Sequence, residues 1–470
     1  MKATKPKEKK GGFCMKRKIS ALLVLAMLSG LVSGCGTAEN SDSSAPSSDA
    51  AGESQASSQA ATDEEITIEV RWANIPESTQ KVWRENVFAP FEEEHPNVTV
   101  DFQSLPNQDQ TLRVQLSAGS GPDMFRIDTT DVSEFAKTGF IADLQSYREE
   151  YKLDEKMYDW ALRACEYDGN LYALPAAVET SDLTYNKTLL DQLGMPVPKT
   201  REEFVQACEA AQENGLVAVS WGYSGVPALM GWFYGHYLTT YSGPENVKKL
   251  LNGEITFNDP NIRGAFELMK ADWDAGYYND KKSGAISMDE ARSLFNNSKS
   301  VFNMEGSWLT MADTEPGTWQ FEWGQTQWPS MREGVPAAGD MAVGGCIGIN
   351  AASECVELCA DMMIEFYLDQ DRVAQAVSQG YSTPALDIDE SLYPSDMHED
   401  IKTALECQKE IINADAIGYA PWGFFPTKMK AFLDDNLDKV LYDQMSIDDF
   451  LNQAQALLEE DIENGYQFPG

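Results

Sequence analysis

Apolar Ile66, Ile68, Val70 and Trp72 alternate with Thr67, Glu69 and Arg71, a period of two that predicts a strand with one buried face. Val82 to Glu93 changes to helical spacing and Val98 to Phe102 predicts a second strand, so the folded part opens as β-α-β near Glu64. Met124 to Ile127 reads as a further strand running into Asp128-Thr129-Thr130-Asp131, where Asp128 either caps the next helix or presents its carboxylate past the strand end. Asp168-Gly169-Asn170 carries turn chemistry between two strands. The apolar run Leu171 to Val178 suits a buried sheet, and Glu179 follows it directly, a carboxylate that needs a partner there. Thr188 to Leu193 predicts a short helix closed by Gly194, with Pro196 and Pro198 beyond it.

Later helices are marked by their starts. Thr200-x-x-Glu203 precedes Phe204, Ala207, Cys208 and Ala211 at helical spacing, Ser287-x-x-Glu290 precedes Arg292 to Asn296, and Ser446-x-x-Asp449 opens an amphipathic helix through Phe450, Ala454, Leu457, Leu458 and Ile462. Glu357 to Tyr367 and Asp369 to Val377 also read as helical, and Ser300 to Met304 as a strand. Trp221 and Tyr223 leave the apolar run Leu216 to Val219 as residues at a strand end would. They head an aromatic run, Trp232 to Tyr241, most of which is expected in a core.

Before Glu64 the pattern is different in kind. Lys16-Arg17-Lys18 precedes the apolar run Ile19 to Leu28, too short for a comfortable permanent span and suited to a signal peptide over residues 1–34. Val32-Ser33-Gly34-Cys35 resembles the bacterial lipoprotein cleavage box, in which the Cys35 thiol takes a diacylglyceryl group. Residues 35–63 then hold the lipidated cysteine and a Ser, Ala, Gly and Gln rich linker, expected to be a flexible tether.

The whole chain has 470 residues and a formal charge of −39; without the first 34 residues, 28 basic stand against 74 acidic side chains, a charge of −46. That balance argues against nucleic acid as a partner. A hydrophobic content of 43% over this length provides for two sizeable cores. Histidines occur only at 95, 236 and 398, and no Cys or His spacing resembles a zinc site, so neither metal nor cofactor is expected.

Several patterns in order resemble one family. After the glycine turn come Tyr172-x-Leu174-Pro175, an apolar strand, Tyr185-Asn186-Lys187 and Pro198-Lys199-Thr200-x-x-Glu203; upstream stands Gly121-Pro122-Asp123. Downstream stand Glu305-Gly306-Ser307-Trp308 and the glycine-rich Val343 to Ser353. Together they resemble the extracellular solute-binding proteins of ABC importers, in the sugar-binding family that includes maltose-binding protein. The resemblance implies a two-lobed α/β fold of the periplasmic-binding-protein kind, each lobe a mixed sheet flanked by helices, with a hinge between. Approximate boundaries are 64–178 and 327–375 for the first lobe, and 179–326 and 376–470 for the second, with crossings near Glu179 and Trp323.

It further implies a monomeric lipid-anchored receptor at the outer face of the cell membrane, which captures a carbohydrate between its lobes and passes it to membrane permease subunits. No catalysis is implied. The ligand contacts expected are Asn74, Asp128, Glu179, Trp221, Tyr223, Glu305, Trp308, Gly344, Gly345, Tyr381 and Trp422, with Trp308 stacking on a sugar ring and Gly344 and Gly345 supplying close backbone. A phosphate loop at Gly344-Gly345 is disfavoured, because no Gly-Lys-Ser/Thr follows. Alternatives are a glycoside hydrolase using Glu179 and Glu305, a surface carbohydrate adhesin, or a receptor for a non-sugar polar solute. Cys165, Cys208, Cys346, Cys355, Cys359 and Cys407 lie in apolar patterns, which predicts buried thiols and at most one disulfide.

Overall fold

The computed structural model describes residues 65–73, 75–105, 108–311, 314–413 and 417–468. The expected signal peptide, Cys35, the linker and Asn74 lie outside the described residues. The strands in chain order are β1 (Ile66–Ala73), β2 (Val98–Leu105), β3 (Met124–Ile127), β4 (Glu166–Tyr167), β5 (Asn170–Leu171), β6 (Ala173–Pro175) and β7 (Val178–Asn186). They continue with β8 (Val217–Ser220), β9 (Ser300–Gly306), β10 (Trp323–Thr326), β11 (Gly339–Val343), β12 (Cys346–Ile349) and β13 (Ile417–Tyr419).

Two mixed sheets carry the architecture. The first has the order β2-β1-β3-β12-β6, with β1 parallel to β2 and β3 and with β12 antiparallel to both its neighbours. The second runs β13-β11-β7-β9-β8, with β10 paired to β7. Each has its own apolar core: Ile68, Val70, Phe88, Phe125, Phe135 and Ile347 are among the buried residues of the first, and Phe204, Trp221, Phe233, Trp273 and Phe302 among those of the second. Helices flank both sheets. Among the described residues, no helix is long and apolar enough to cross a membrane.

Local chemistry accounts for several element ends. Asp168 and Gly169 both have positive φ, 51° and 83°, the backbone needed for a two-residue turn between β4 and β5. Ser287 and Glu290 form a complete capping box at the start of the helix Met288–Asn296. At Thr200 the box is only half made: its hydroxyl accepts from Glu203 N–H, but Glu203 reaches Lys199 N–H instead. Gly194 closes Lys187–Leu193 in the left-handed region.

The chain passes from the first sheet to the second between Pro175 and Val178, as the apolar stretch before Glu179 suggests. It returns at Gly344-Gly345, between β11 and β12. This corrects the expected crossing near Trp323: residues 323–326 pair with β7, and 340–343 pair with it again, so the chain stays in the second sheet until Val343. Core packing also moves two expected boundaries. Trp328 and Met331 are buried in the second core, whereas Ala376, Tyr381, Leu386, Ile401 and Ala404 are buried in the first.

The helix Glu399–Ile412 ties the crossing to this last segment. Gln408 donates to the Val178 carbonyl at 2.8 Å, Thr383 donates to Gln408 Oε1 at 2.6 Å, and Val178 N–H donates to the Thr383 carbonyl at 2.8 Å.

Candidate functional site

Strand polarity brings carboxyl ends together from both sheets. β1, β3 and β6 end towards the crossing, since Cys346 pairs with both Ile127 and Pro175. In the second sheet, β9 and β11 run antiparallel to β7, so their ends lie near its beginning. A cavity of about 340 Å³ lies between these two sets of ends.

Six aromatic side chains form two walls. On the first lobe, Trp83 lies with its ring 5.0 Å from Trp72 and 5.0 Å from Tyr381, and all three line the cavity. On the second, Trp308 is 4.7 Å from Trp232 and 5.8 Å from Trp422, and these three line it too. The Trp422 indole N–H is buried without a protein acceptor. Across the cleft, the Thr129 hydroxyl donates to the Trp422 carbonyl at 3.1 Å, a direct contact between lobes.

Charged groups sit between the walls. Glu179, the first polar residue of β7, finds its partner in Arg126 of β3, with Nη2 and Oε1 3.3 Å apart. Arg126 also donates to the Gly344 carbonyl. A Cβ on Gly344 would fall 2.1 Å from Glu179 Cδ, and one on Gly345 would fall 2.3 Å from Arg126 Nε. The glycines thus let both charged side chains lie against the return crossing, and Gly345 also has a φ of +80°. Asp128 is the N-cap residue of Thr129–Lys137 but makes no side-chain cap bond, and it lines the cavity. Its competing roles separate: backbone position serves the helix, while the carboxylate stands at the cleft.

Behind the second wall, the Glu305 carboxylate is 2% exposed and grips Arg292 through Nε and Nη2, with Nε 2.9 and 3.0 Å from its two oxygens. Arg292 lines the cavity and Glu305 does not, so Glu305 is a support for the cleft rather than a contact. Lys430 also lines it and donates to Asp434 at 2.7 Å.

Of the residues expected at the site, Asp128, Glu179, Trp308, Gly344, Gly345, Tyr381 and Trp422 are brought together. Trp221 and Tyr223 are not. Tyr223 N–H donates to Ser283 O and Ser224 N–H to Ile286 O, so the 283–286 segment covers the exit from β8. Trp221 is left 1% exposed, stacked on Phe233 at 4.6 Å. Sequence reasoning missed Trp72, Trp83, Trp232, Arg126 and Arg292. Arg126 alone carried a readable signal, a cation inside the apolar strand Met-Phe-Arg-Ile. No group of three or more His, Cys, Asp or Glu among the described residues is arranged to hold a metal ion.

Residues 72–323 match the bacterial extracellular solute-binding protein family. Over 284 residues, covering 55% of this chain and 62% of the relative, the sequence is 25% identical to the multiple sugar-binding protein of Streptococcus mutans. Over 159 residues, covering 32% of this chain and 34% of the relative, it is 30% identical to the maltotriose-binding protein of Pyrococcus abyssi. The chain therefore spans less than two thirds of the length of these relatives. Among solved structures, a chitin oligosaccharide binding protein superposes with a TM-score of 0.74 at 21% identity, over 84% of this chain and 99% of its own. An ABC substrate-binding protein from Listeria monocytogenes in complex with cycloalternan gives 0.66 at 18% identity, over 85% and 100%. These structural likenesses establish the two-lobed α/β fold.

Proposed function

The chain belongs to the bacterial extracellular solute-binding proteins, and from that footing we propose that it captures a carbohydrate, an oligosaccharide in particular, between its lobes and delivers it to the permease of an ABC importer. The observation that carries this reading is the pair of tryptophan walls facing one cavity from opposite lobes. Pyranose rings present C–H faces that pack on indoles, and their hydroxyls bond to charged groups at the ring edge. Asp128, Glu179, Arg126 and Arg292 supply such groups here. The names of the relatives, sugar-binding and maltotriose-binding, point the same way.

A ligand touching both walls favours the closed arrangement by its differential affinity, and closure is a hinge motion about the segments that cross between the sheets. Glu305, the second carboxylate of the hydrolase alternative, is sequestered by Arg292 and Trp308, which favours capture over hydrolysis. Lipid attachment at Cys35 after removal of residues 1–34 holds the receptor at the outer membrane face, as a monomer. Calorimetric titration with a panel of mono- and oligosaccharides tests the proposal. Saturable binding of at least one sugar is expected, and binding of none of them, with uptake of a non-sugar solute instead, overturns it. Radiolabelled acyl incorporation that is lost in Cys35→Ser tests the anchor.

A further inference from the structure

We infer that Cys165 and Cys346 are a disulfide-forming pair in the exported protein, joining the end of the segment after Asp159–Arg163 to the first residue of β12. Their sulfurs lie 3.1 Å apart although 181 positions separate them in sequence, and both residues are fully buried. A disulfide requires about 2.05 Å between sulfurs, so closing the bond asks for a shift on the order of 1 Å. Cys208 belongs to the second core and Cys407 to the helix over β10, so neither can compete for this contact.

The position has structural meaning. Cys346 directly follows Gly344-Gly345, where the return crossing enters the first sheet, and it pairs with Ile127 and Pro175. Cys165 is fixed from its other side, its carbonyl accepting from Tyr172 N–H at 3.0 Å. A bond between them pins the first-lobe end of the crossing to the hairpin β4-β5 and leaves the cleft glycines free to flex.

Oxidation proceeds by exchange with a disulfide oxidant, either a small-molecule disulfide or a disulfide oxidoreductase. One cysteine thiolate attacks the oxidant, giving a mixed disulfide and releasing the first thiol. The second thiolate then displaces the remaining oxidant sulfur as the second thiol. Two protein thiols are oxidised, the oxidant's disulfide is reduced to two thiols, and the two protons lost by the cysteines end on those thiols. Burial pushes the Cys346 thiol well up from its ordinary range, and an oxidant has no path to either sulfur in the folded state. The exchange therefore belongs to folding, before the first core closes, in a compartment where disulfides persist. The inference rests on extracytoplasmic placement and not on the identity of the ligand, so a failed sugar screen does not touch it.

Tryptic mapping of full-length exported protein, alkylated without reduction, reads the pair directly. Cleavage isolates Cys165 in residues 164–187 and Cys346 in residues 333–372, the latter with Cys355 and Cys359. A linked peptide whose fragmentation assigns the bond to Cys165 and Cys346, and which disappears on reduction, is the expected result. Full alkylation of both residues in the denatured, unreduced protein overturns the inference, as does a bond from Cys165 to Cys355 or Cys359. A second reading needs no mapping: wild type reduced while unfolded and refolded with reductant melts roughly 5 °C or more below the untreated protein, as expected for releasing so long a loop, and the Cys165→Ser/Cys346→Ser protein melts alike under both treatments. Equal melting of the untreated wild type and the wild type reduced while unfolded and refolded with reductant overturns the bond.

Discussion

The Trp308 indole N–H donates to Glu305 Oε2 at 3.2 Å, and the same buried carboxylate holds Arg292, so one side chain fixes both a wall and a charge of the cleft. Glu305→Gln keeps the shape but removes the charge and turns one acceptor oxygen into an NH2 donor facing Arg292. Removing one partner of a buried ion pair costs about 3–5 kcal/mol, and since the Arg292 side chain keeps 13% exposure towards the cleft and glutamine retains one acceptor, this case falls at or below the lower end. Denaturant unfolding is expected to show a loss of about 2–3 kcal/mol, with sugar affinity reduced roughly tenfold although Glu305 itself does not line the cavity. An unchanged affinity would remove Glu305 from the support of the site.

Glu179 and Trp308 are expected to act on a ligand by different physics. A carboxylate accepting sugar hydroxyls contributes about 1.5–3 kcal/mol and an aromatic platform a burial term of similar size. Glu179→Gln and Trp308→Ala are each expected to raise the dissociation constant about tenfold or more in calorimetry. Glu179→Gln also weakens its link to Arg126, so its folding stability falls slightly. If both variants bind like the parent, the cleft is not the capture site.

Gly344 and Gly345 separate contact from strain. Alanine at 344 pushes on the end of the Glu179 side chain, which can turn away, so binding suffers more than stability. At 345 the added Cβ meets Arg126 in a backbone of positive φ, and a stability loss of about 1–3 kcal/mol accompanies the loss of binding. Thermal melting beside titration distinguishes the two; equal melting of the variants contradicts the strain assigned to position 345.

Asp182 and Asp340 are fully buried on β7 and β11, and burial raises the carboxyl of each to about 7. Each has one partner, Thr180 for Asp182 and Thr239 for Asp340, while Asp182 Oδ1 and Asp340 Oδ2 lack one. Between pH 4 and 7 the folded state holds protons that the unfolded chain has released, so these groups make stability fall as pH rises through that window and level off above it. His236 opposes them: burial lowers it to about 3, so its contribution is present above pH 6.5 and is lost as pH falls towards 3. Asp340→Asn isolates one group. Its stability relative to wild type, followed by urea unfolding, should improve as pH rises from 5 to 7 and level off above 7, and a constant difference from pH 5 to pH 8 would show that Asp340 does not titrate there.

What the sequence disclosed followed from short-range rules. Strand alternation at Ile66 to Trp72, the turn at Asp168-Gly169 and the cap at Ser287 depend on neighbouring residues, and the elements formed where expected. The ordered family patterns pointed to Glu179, Trp308 and the two glycines, which line one cavity. Long-range relations were harder to read. That Trp221 is roofed by residues 283–286, or that Trp83 and Tyr381 stand side by side, depends on where separate segments meet. Glu305 has the same sequence context whether it faces the cleft or Arg292. Only the packing of the helix Met288–Asn296 against β9 decides between them.

The placement of β12 has a consequence for how the protein is made. It is the strand between β3 and β6, yet it comes from residues 346–349, after almost the entire second sheet has been laid down. A growing chain that has emerged as far as β11 lacks the strand that joins β6 to β3, and leaves one edge of β3 and the whole of β6 unpaired. Non-local pairing of this kind is slow to form. The first lobe is therefore expected to settle only after β12 has been made, and a fragment ending before Cys346 is expected to have no stable first lobe at all.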